Sequence, residues 1–135
     1  MQSFDVAIVG AGPGSLKAAE YLAQNGKSVV VLERGKVIGK KVCAGGITLK
    51  NFKFGLPKSI MERSFNKVII HTRFQDVILE QDDPLVYTTS RVILGQYLAG
   101  EAKKKGVEIR TESCVTKIEE NNVKNTLTIH NIKNN

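Results

Sequence analysis

The first thirty-odd residues switch between two hydrophobic periods. Phe4–Val9 is a short apolar run that stops at Gly10. Its length and β-branched content predict a strand buried on both faces. After the glycine-rich stretch Gly10–Gly14, Ser15–Gln24 carries Leu16, Ala19, Tyr21, Leu22 and Ala23 at near-helical spacing, and Asn25-Gly26 ends that helix. Ser28–Leu32 is a second apolar strand, closed by Glu33. Strand, glycine turn, helix and strand within about thirty residues make one βαβ unit. The right-handed crossover sets the two strands parallel in one sheet.

The pattern then weakens. Residues 34–65 have no strong period, and a short helix is expected near Ile47–Phe52. Lys67–His71 and Val77–Glu80 read as strands of a hairpin or small antiparallel sheet, Asp82-Asp83-Pro84 as a turn, and Leu85–Thr88 as a further strand. Thr89 or Ser90 caps a helix to about Lys105, with Ile93, Leu94, Tyr97, Leu98 and Ala102 as its apolar stripe. Lys103-Lys104-Lys105 before Gly106 suits the negative end of the helix dipole. Val107–Arg110 is the expected third parallel strand, and Cys114–Glu119 with Thr126–His130 a two-stranded ribbon. The fold class is therefore α/β: a Rossmann-like βαβ domain with inserted small antiparallel strands over residues 1–120. An asparagine-rich tail is expected over 121–135.

The turn itself carries chemistry. It reads Gly10-Ala11-Gly12-Pro13-Gly14-Ser15. The first glycine permits the tight turn, and the second lets a pyrophosphate approach the backbone. The helix that follows offers free N–H groups and a positive dipole end to that anion. Serine at position 15 stands where the third glycine of the pattern allows close helix–strand packing. Glu33 ends the second strand, where a carboxylate accepts hydrogen bonds from a ribose diol and repels a 2′-phosphate. The site is thus a dinucleotide site that disfavours NADP.

Composition narrows the setting. The 135 residues are 41% hydrophobic and 24% charged, which suits one globular domain. No apolar run reaches the ~18 residues of a membrane span. Asp5 and the lack of an early basic cluster argue against a signal peptide. Cys43 and Cys114 make neither a disulfide framework nor a metal cage, so a cytoplasmic setting is expected. The net charge of +7 is concentrated between Arg34 and Lys67, where nine basic residues face only Glu62. Such a field attracts phosphates, acidic lipid headgroups or nucleic acid, and it equally keeps a face solvated. No nucleic-acid module accompanies it, so no nucleic-acid partner is expected. His71 and His130 have no partners at metal-ligand spacing, and no metal site is expected.

Phe4–Arg34, with Ala18-Ala19 and Val29-Val30-Val31-Leu32-Glu33-Arg34, resembles the opening of FAD-dependent oxidoreductases of the aromatic-hydroxylase type. Gly39-Lys40-Lys41-Val42-Cys43-Ala44-Gly45-Gly46-Ile47 resembles the Cys-Gly-Gly-Gly-type segment of the geranylgeranyl reductase family. That family reduces double bonds of isoprenoid chains in archaeal-type lipids or in chlorophyll and quinone precursors. The resemblance runs from residue 4 to about 119. It implies FAD as cofactor, an isoprenoid or lipid substrate, and a peripheral contact with the membrane.

It also implies roles for single residues. Gly10, Gly12, Gly14, Ser15, Glu33 and Arg34 bind the cofactor, and the backbone of Val115 meets the adenine. Cys43, Ala44 and Gly46 lie beside the flavin, where glycines allow a backbone to lie flat against a ring. Cys43 is the candidate catalytic residue. It tunes the flavin, contacts the substrate or relays a proton. Cys114, on a strand, is read as core packing. Arg91 opens its helix against the dipole, a cost of ~0.3–1 kcal/mol that a bound anion offsets. The family segment Arg-x-x-Phe-Asp-x-x-Leu reads Arg91-Val92-Ile93-Leu94-Gly95-Gln96-Tyr97-Leu98 here, and Gly95 in place of the aspartate weakens the helix by ~1 kcal/mol.

The resembled enzymes are considerably longer, with later Asp-Gly and Gly-Asp segments and a substrate domain. The chain is therefore expected to be the N-terminal part of an FAD domain, with the flavin half of the site mostly absent and the first strand at an open sheet edge. An FAD-dependent monooxygenase on the same scaffold and a non-catalytic truncated remnant are the alternatives.

Overall fold

A computed structural model describes residues 2–48, 55–120 and 125–131. In chain order the elements are β1 (Val6–Val9), α1 (Pro13–Gln24), β2 (Val29–Leu32), β3 (Gly46–Thr48), a 3-10 turn (Lys58–Ile60), β4 (Arg63–Phe65), β5 (Lys67–His71), β6 (Asp76–Glu80), β7 (Val86–Thr88), α2 (Arg91–Lys104), β8 (Glu108–Arg110), β9 (Ser113–Glu120) and β10 (Asn125–Asn131). They group into two units: residues 1–40 with 94–135, and residues 41–93.

The first unit is built on a parallel sheet of order β1-β2-β8. Val6 pairs with Val29 and Val9 with Leu32, while Val30 pairs with Glu108 and Leu32 with Arg110. All four side chains of the central strand, Val29–Leu32, are buried. β1 departs from expectation: its side chains alternate between half-buried and exposed, and Val9 is 53% exposed. The physical reason is its edge position, since only β2 flanks it among the described residues.

Helix α1 starts two residues earlier than its periodicity suggests, with Pro13 in the first turn and Gly12 as N-cap. Leu16 and Ala19 are its buried residues, and Tyr21, expected on the apolar stripe, is exposed. The helix ends as Asn25-Gly26 requires: Gly26 takes φ +79°, and the Lys27 N–H returns to the Leu22 carbonyl at 3.1 Å. At the opposite end of β1, the Asp5 carboxylate accepts both the N–H and the hydroxyl of Ser28 at 2.7 Å. These bonds, the backbone one first, hold the Asp5 carboxyl below its usual 3.8.

Helix α2 also corrects the expected stripe. Leu94, Gly95, Leu98, Ala99 and Ala102 are buried, whereas Ile93 is exposed and Tyr97 only half-buried. Gly95 is buried for a packing reason. A Cβ there would lie 3.1 Å from the Gly39 Cα and 3.1 Å from the Ile38 Cγ2, and the neighbouring Gln96 amide donates to the Ile38 carbonyl at 3.3 Å. The residue that weakens the helix therefore lets the 38–39 backbone lie against it. Cys114–Glu119 and Thr126–His130 pair in the expected ribbon, β9 against β10, with a bulge between Thr128 and Ile129. Residues 125–131 of the expected tail thus contribute a strand.

The second unit is antiparallel. β3, β7 and β4 form one sheet in the order β3-β7-β4, and β5 and β6 form a hairpin in the register Lys67↔Glu80 to His71↔Asp76. The expected helix near Ile47–Phe52 is corrected at its start: Ile47 and Thr48 belong to β3, where they pair with Tyr87 and Val86. The rest of that expected helix lies outside the described residues. Ile47, Ile60 and Thr89 are the buried side chains of this unit among the described residues.

Candidate functional site

The first unit gathers its expected site residues at the C-terminal ends of β1 and β2. Gly10 sits at φ +93°, a conformation that favours glycine, and its N–H bonds the Leu32 carbonyl at 2.7 Å. A Cβ on Gly14 would meet no atom within 4 Å, and one on Gly12 only the Ser15 Oγ at 4.0 Å. The turn thus keeps open the space that side chains here would fill. Among the described residues the N-terminus of α1 has no side-chain cap, and no acidic residue lies in its first turn. It therefore presents an uncompensated positive dipole end to an anion.

Glu33 is fixed from four directions. Its backbone N–H donates to the Arg110 carbonyl at 2.8 Å, and its carbonyl accepts the Ser113 N–H at 2.9 Å. Its Oε2 accepts the Ala11 N–H and its Oε1 the Gly35 N–H, each at 2.8 Å. The carboxylate thereby ties the glycine turn to the loop beyond β2. A carboxylate has about four acceptor positions, so two stay open to hydroxyls.

Beside it lies an open cleft of about 310 Å³, whose lining includes Gly10, Glu33, Arg34, Cys114 and Val115. Arg34 is exposed at its rim. The far wall arrives through Glu112, a non-glycine residue at φ 54° that turns the chain from β8 into β9. Cys114, expected in the core, is half-buried and lines the cleft instead. The alternation along β9 was legible, but its bearing on the cleft depends on the turn at Glu112, which no local motif announces.

A second cavity, of about 480 Å³, was not foreseen. Its lining includes Phe4, Ala7, Val30, Arg110, Leu127 and Ile129, and the Arg110 guanidinium lies 5.6 Å from the centre of the Phe4 ring.

The remaining site residues belong to the second unit. Cys43, Ala44 and Gly46 are exposed, and Cys43 is a free thiol. Arg91 is half-buried, and its Nε is fully buried without a hydrogen-bond partner among the described residues. A buried guanidinium nitrogen left unpaired is costly, so this position suits an acceptor. Ser90 caps the helix, receiving the Ile93 N–H at 3.5 Å, while Thr89 turns its hydroxyl elsewhere. No group of His, Cys, Asp or Glu able to hold a metal exists among the described residues. No helix among them is long and apolar enough to cross a membrane.

This geometry has counterparts in known proteins. Residues 8–69 match the family model of the NAD(P)-binding Rossmann-like domain. The chain is 32% identical over 120 residues to digeranylgeranylglycerophospholipid reductase of Methanocaldococcus jannaschii, covering 86% of this chain and 30% of that protein. It is also 32% identical over 136 residues to an uncharacterized protein in the nifH2 5′ region of Methanosarcina barkeri, covering 87% of this chain and 69% of that one. A geranylgeranyl bacteriochlorophyll reductase-like protein from Thermoplasma acidophilum superimposes with a TM-score of 0.84 at 25% identity, over 96% of this chain and 35% of its own. Relatives of this chain therefore include digeranylgeranylglycerophospholipid reductases and a geranylgeranyl bacteriochlorophyll reductase-like protein, each similar over most of this chain's own length. The similarity extends beyond reductases: thiamine thiazole synthase of Methanococcus maripaludis is 34% identical over 107 residues, 79% of this chain and 38% of that enzyme. The chain spans about a third of the length of the reductases it matches.

Proposed function

We propose that this chain supplies the adenosine-binding half of an FAD site in a reductase acting on isoprenoid double bonds of lipid or pigment precursors. The observation that carries this reading is the Glu33 carboxylate, held between the Ala11 and Gly35 amides at 2.8 Å on the edge of the cleft that Gly10, Arg34 and Val115 line. In this reading the turn Gly10–Gly14 and the N-terminus of α1 bind the pyrophosphate. Glu33 accepts the ribose hydroxyls, Arg34 covers the rim, and Val115 lies along the adenine. Ser15 adds its hydroxyl at the helix start.

Bound FAD supplies the hydride chemistry, while the protein orients and tunes it. Cys43, Ala44 and Gly46 form the flavin-side segment, and Arg91 meets an acceptor of the cofactor through its unpaired Nε. Cys43 tunes the flavin, contacts the substrate or relays the proton that accompanies the hydride. The Cys43-Ala44-Gly45-Gly46 segment favours a reductase over a monooxygenase on the same scaffold. A lipid substrate suits a cytoplasmic protein with a peripheral membrane contact, and the exposed Phe74 and the basic stretch after Glu33 fit that surface.

Titration of the chain with ADP tests the reading. Glu33→Arg removes the acceptor together with the carboxylate's hold on the Ala11 and Gly35 amides, and it is expected to weaken binding by about tenfold to a hundredfold. Glu33→Gln, which keeps an oxygen for the Ala11 amide, is expected to fall between the two. Equal affinity in all three proteins refutes the role of Glu33.

A further inference from the structure

In the second unit, Thr89 is 4% exposed and sits between the two parts that the flavin reading uses. Its N–H donates to the Gly45 carbonyl at 3.0 Å, at the end of the cysteine segment. Its hydroxyl donates to the Ile60 carbonyl at 2.6 Å, in a buried bond that spans 29 positions of sequence. Arg91 follows it by two residues. The fit with Gly45 is close: Gly45 takes φ +71°, and a Cβ there would lie 2.2 Å from the Thr89 carbonyl oxygen. That contact is to backbone, which cannot step aside, so glycine at 45 and the backbone of residue 89 determine each other. The next pair, Gly46 with Thr88, continues as β3 against β7, and the Glu62 N–H closes the far side on the Thr88 carbonyl at 2.8 Å. Upstream of this lock the chain is exposed from Lys41 to Ala44, with Val42 at 99%. The cysteine segment thus leaves the unit from one fixed point.

We infer that Thr89 is a positioning residue: through its amide on Gly45 and its hydroxyl on Ile60 it sets the path of the Cys43–Gly46 segment relative to the start of α2. It acts on Cys43 through Gly45 and touches no reacting atom. The inference rests on the flavin reading only for its purpose; the lock is a property of the chain alone.

Amide NMR and hydrogen exchange on the full chain, free of flavin and nucleotide, test it. Thr89→Ser keeps the hydroxyl, and Thr89→Val keeps the shape without it. In Thr89→Val the amides at positions 62 and 89 are expected to exchange about threefold to tenfold faster, the range that loss of one buried hydrogen bond gives. The Cys43 and Ala44 resonances move with them, while the amides of the β5–β6 hairpin keep their rates. Thr89→Ser restores both signals to the unsubstituted values. Unmoved Cys43 and Ala44 resonances in Thr89→Val, or an equal acceleration across the hairpin, overturn the inference. If Thr89→Val does not fold, the unsubstituted chain still decides: a Thr89 amide exchanging at the unprotected rate overturns the lock, and a protected one that Thr89→Ser preserves supports it. Failure of ADP to bind faults the proposed function and leaves these rates untouched.

Discussion

The two units of this chain bury their apolar residues very differently. The first encloses Leu16, Ala19, Val29–Leu32, Leu94, Leu98, Ala99, Ala102 and Val107 between one parallel sheet and its helices. The second, among the described residues, encloses the apolar Ile47 and Ile60 and the polar Thr89, and leaves Phe65, Ile69, Ile70, Phe74, Ile78 and Leu79 exposed. In the hairpin, Ile69 faces Ile78 between an ion pair, Lys67–Glu80 at 2.9 Å, and a hydrogen-bonded pair, His71–Asp76 at 2.8 Å, all open to solvent. Such exposed pairs contribute little to stability. The first unit is a scaffold that holds a cleft at strand ends. The second is a surface whose few buried contacts fix particular backbone points, Gly45 and Thr89 above all. The first unit thus adds volume packing to the hydrogen bonds that hold Glu33, while the second relies mainly on single hydrogen bonds.

Truncation separates the two units most sharply. Leu16→Ala, which empties a fully buried position, is expected to lower stability by about 2–5 kcal/mol in denaturant unfolding. Phe74→Ala removes a larger side chain, but one that is 93% exposed at the hairpin tip, and is expected to stay within about 0.5 kcal/mol of the parent. Comparable losses at the two positions break the contrast.

Legibility in the sequence follows the same division. The βαβ unit was readable because each of its signals is local: an apolar run, glycines at fixed offsets, a helical stripe, a closing acid. The ribbon of β9 and β10 was readable from alternation. β3 and β4 were not, because three residues are too few to show a period and Gly46 adds no apolar mark. The exposure of Ile93 and Tyr21 was missed because several apolar phases fit one short helix, and tertiary packing chooses between them. At the site, Gly10 and Glu33 were evident as types in a pattern. The grip of Glu33 on two backbone amides was not, since it joins residues 22 apart with no side-chain partner to read. Gly95 was read as a weak point of its helix, yet it makes room for the backbone at Ile38 and Gly39.

The glycine turn sharpens the comparison within the first unit. Gly10→Ala forces a side chain into φ +93° and is expected to cost about 1–3 kcal/mol. Gly14→Ala meets no neighbouring atom and adds a better helix former, so its thermal midpoint is expected not to fall. Its ADP affinity is expected to drop, because the new methyl occupies the space that the pyrophosphate reading requires. A Gly14→Ala protein with unchanged affinity shows that the turn serves the fold alone.

The smallest effect is electrostatic. Asp5 has its carboxyl lowered by the Ser28 amide and hydroxyl, so it is more acidic folded than unfolded. The stability it contributes is therefore fully present above about pH 4 and is lost as pH falls through its depressed folded value. Asp5→Asn is expected to lower the thermal midpoint slightly at pH 7, with the difference from the parent closing as the pH is lowered below 4. A difference that widens on acidification contradicts the pairing with Ser28.

The central claim is that the first unit binds the adenosine half of a flavin dinucleotide. Amide chemical-shift mapping of the isotope-labelled chain during ADP titration tests it most directly, because every residue reports at once and no substitution disturbs the site. Saturable shifts are predicted at Gly10–Ser15, at Glu33 and Arg34, and at Ser113–Val115, with the β5–β6 hairpin silent. Shifts centred on the hairpin or the basic stretch after Arg34, or none at millimolar ADP, would contradict it.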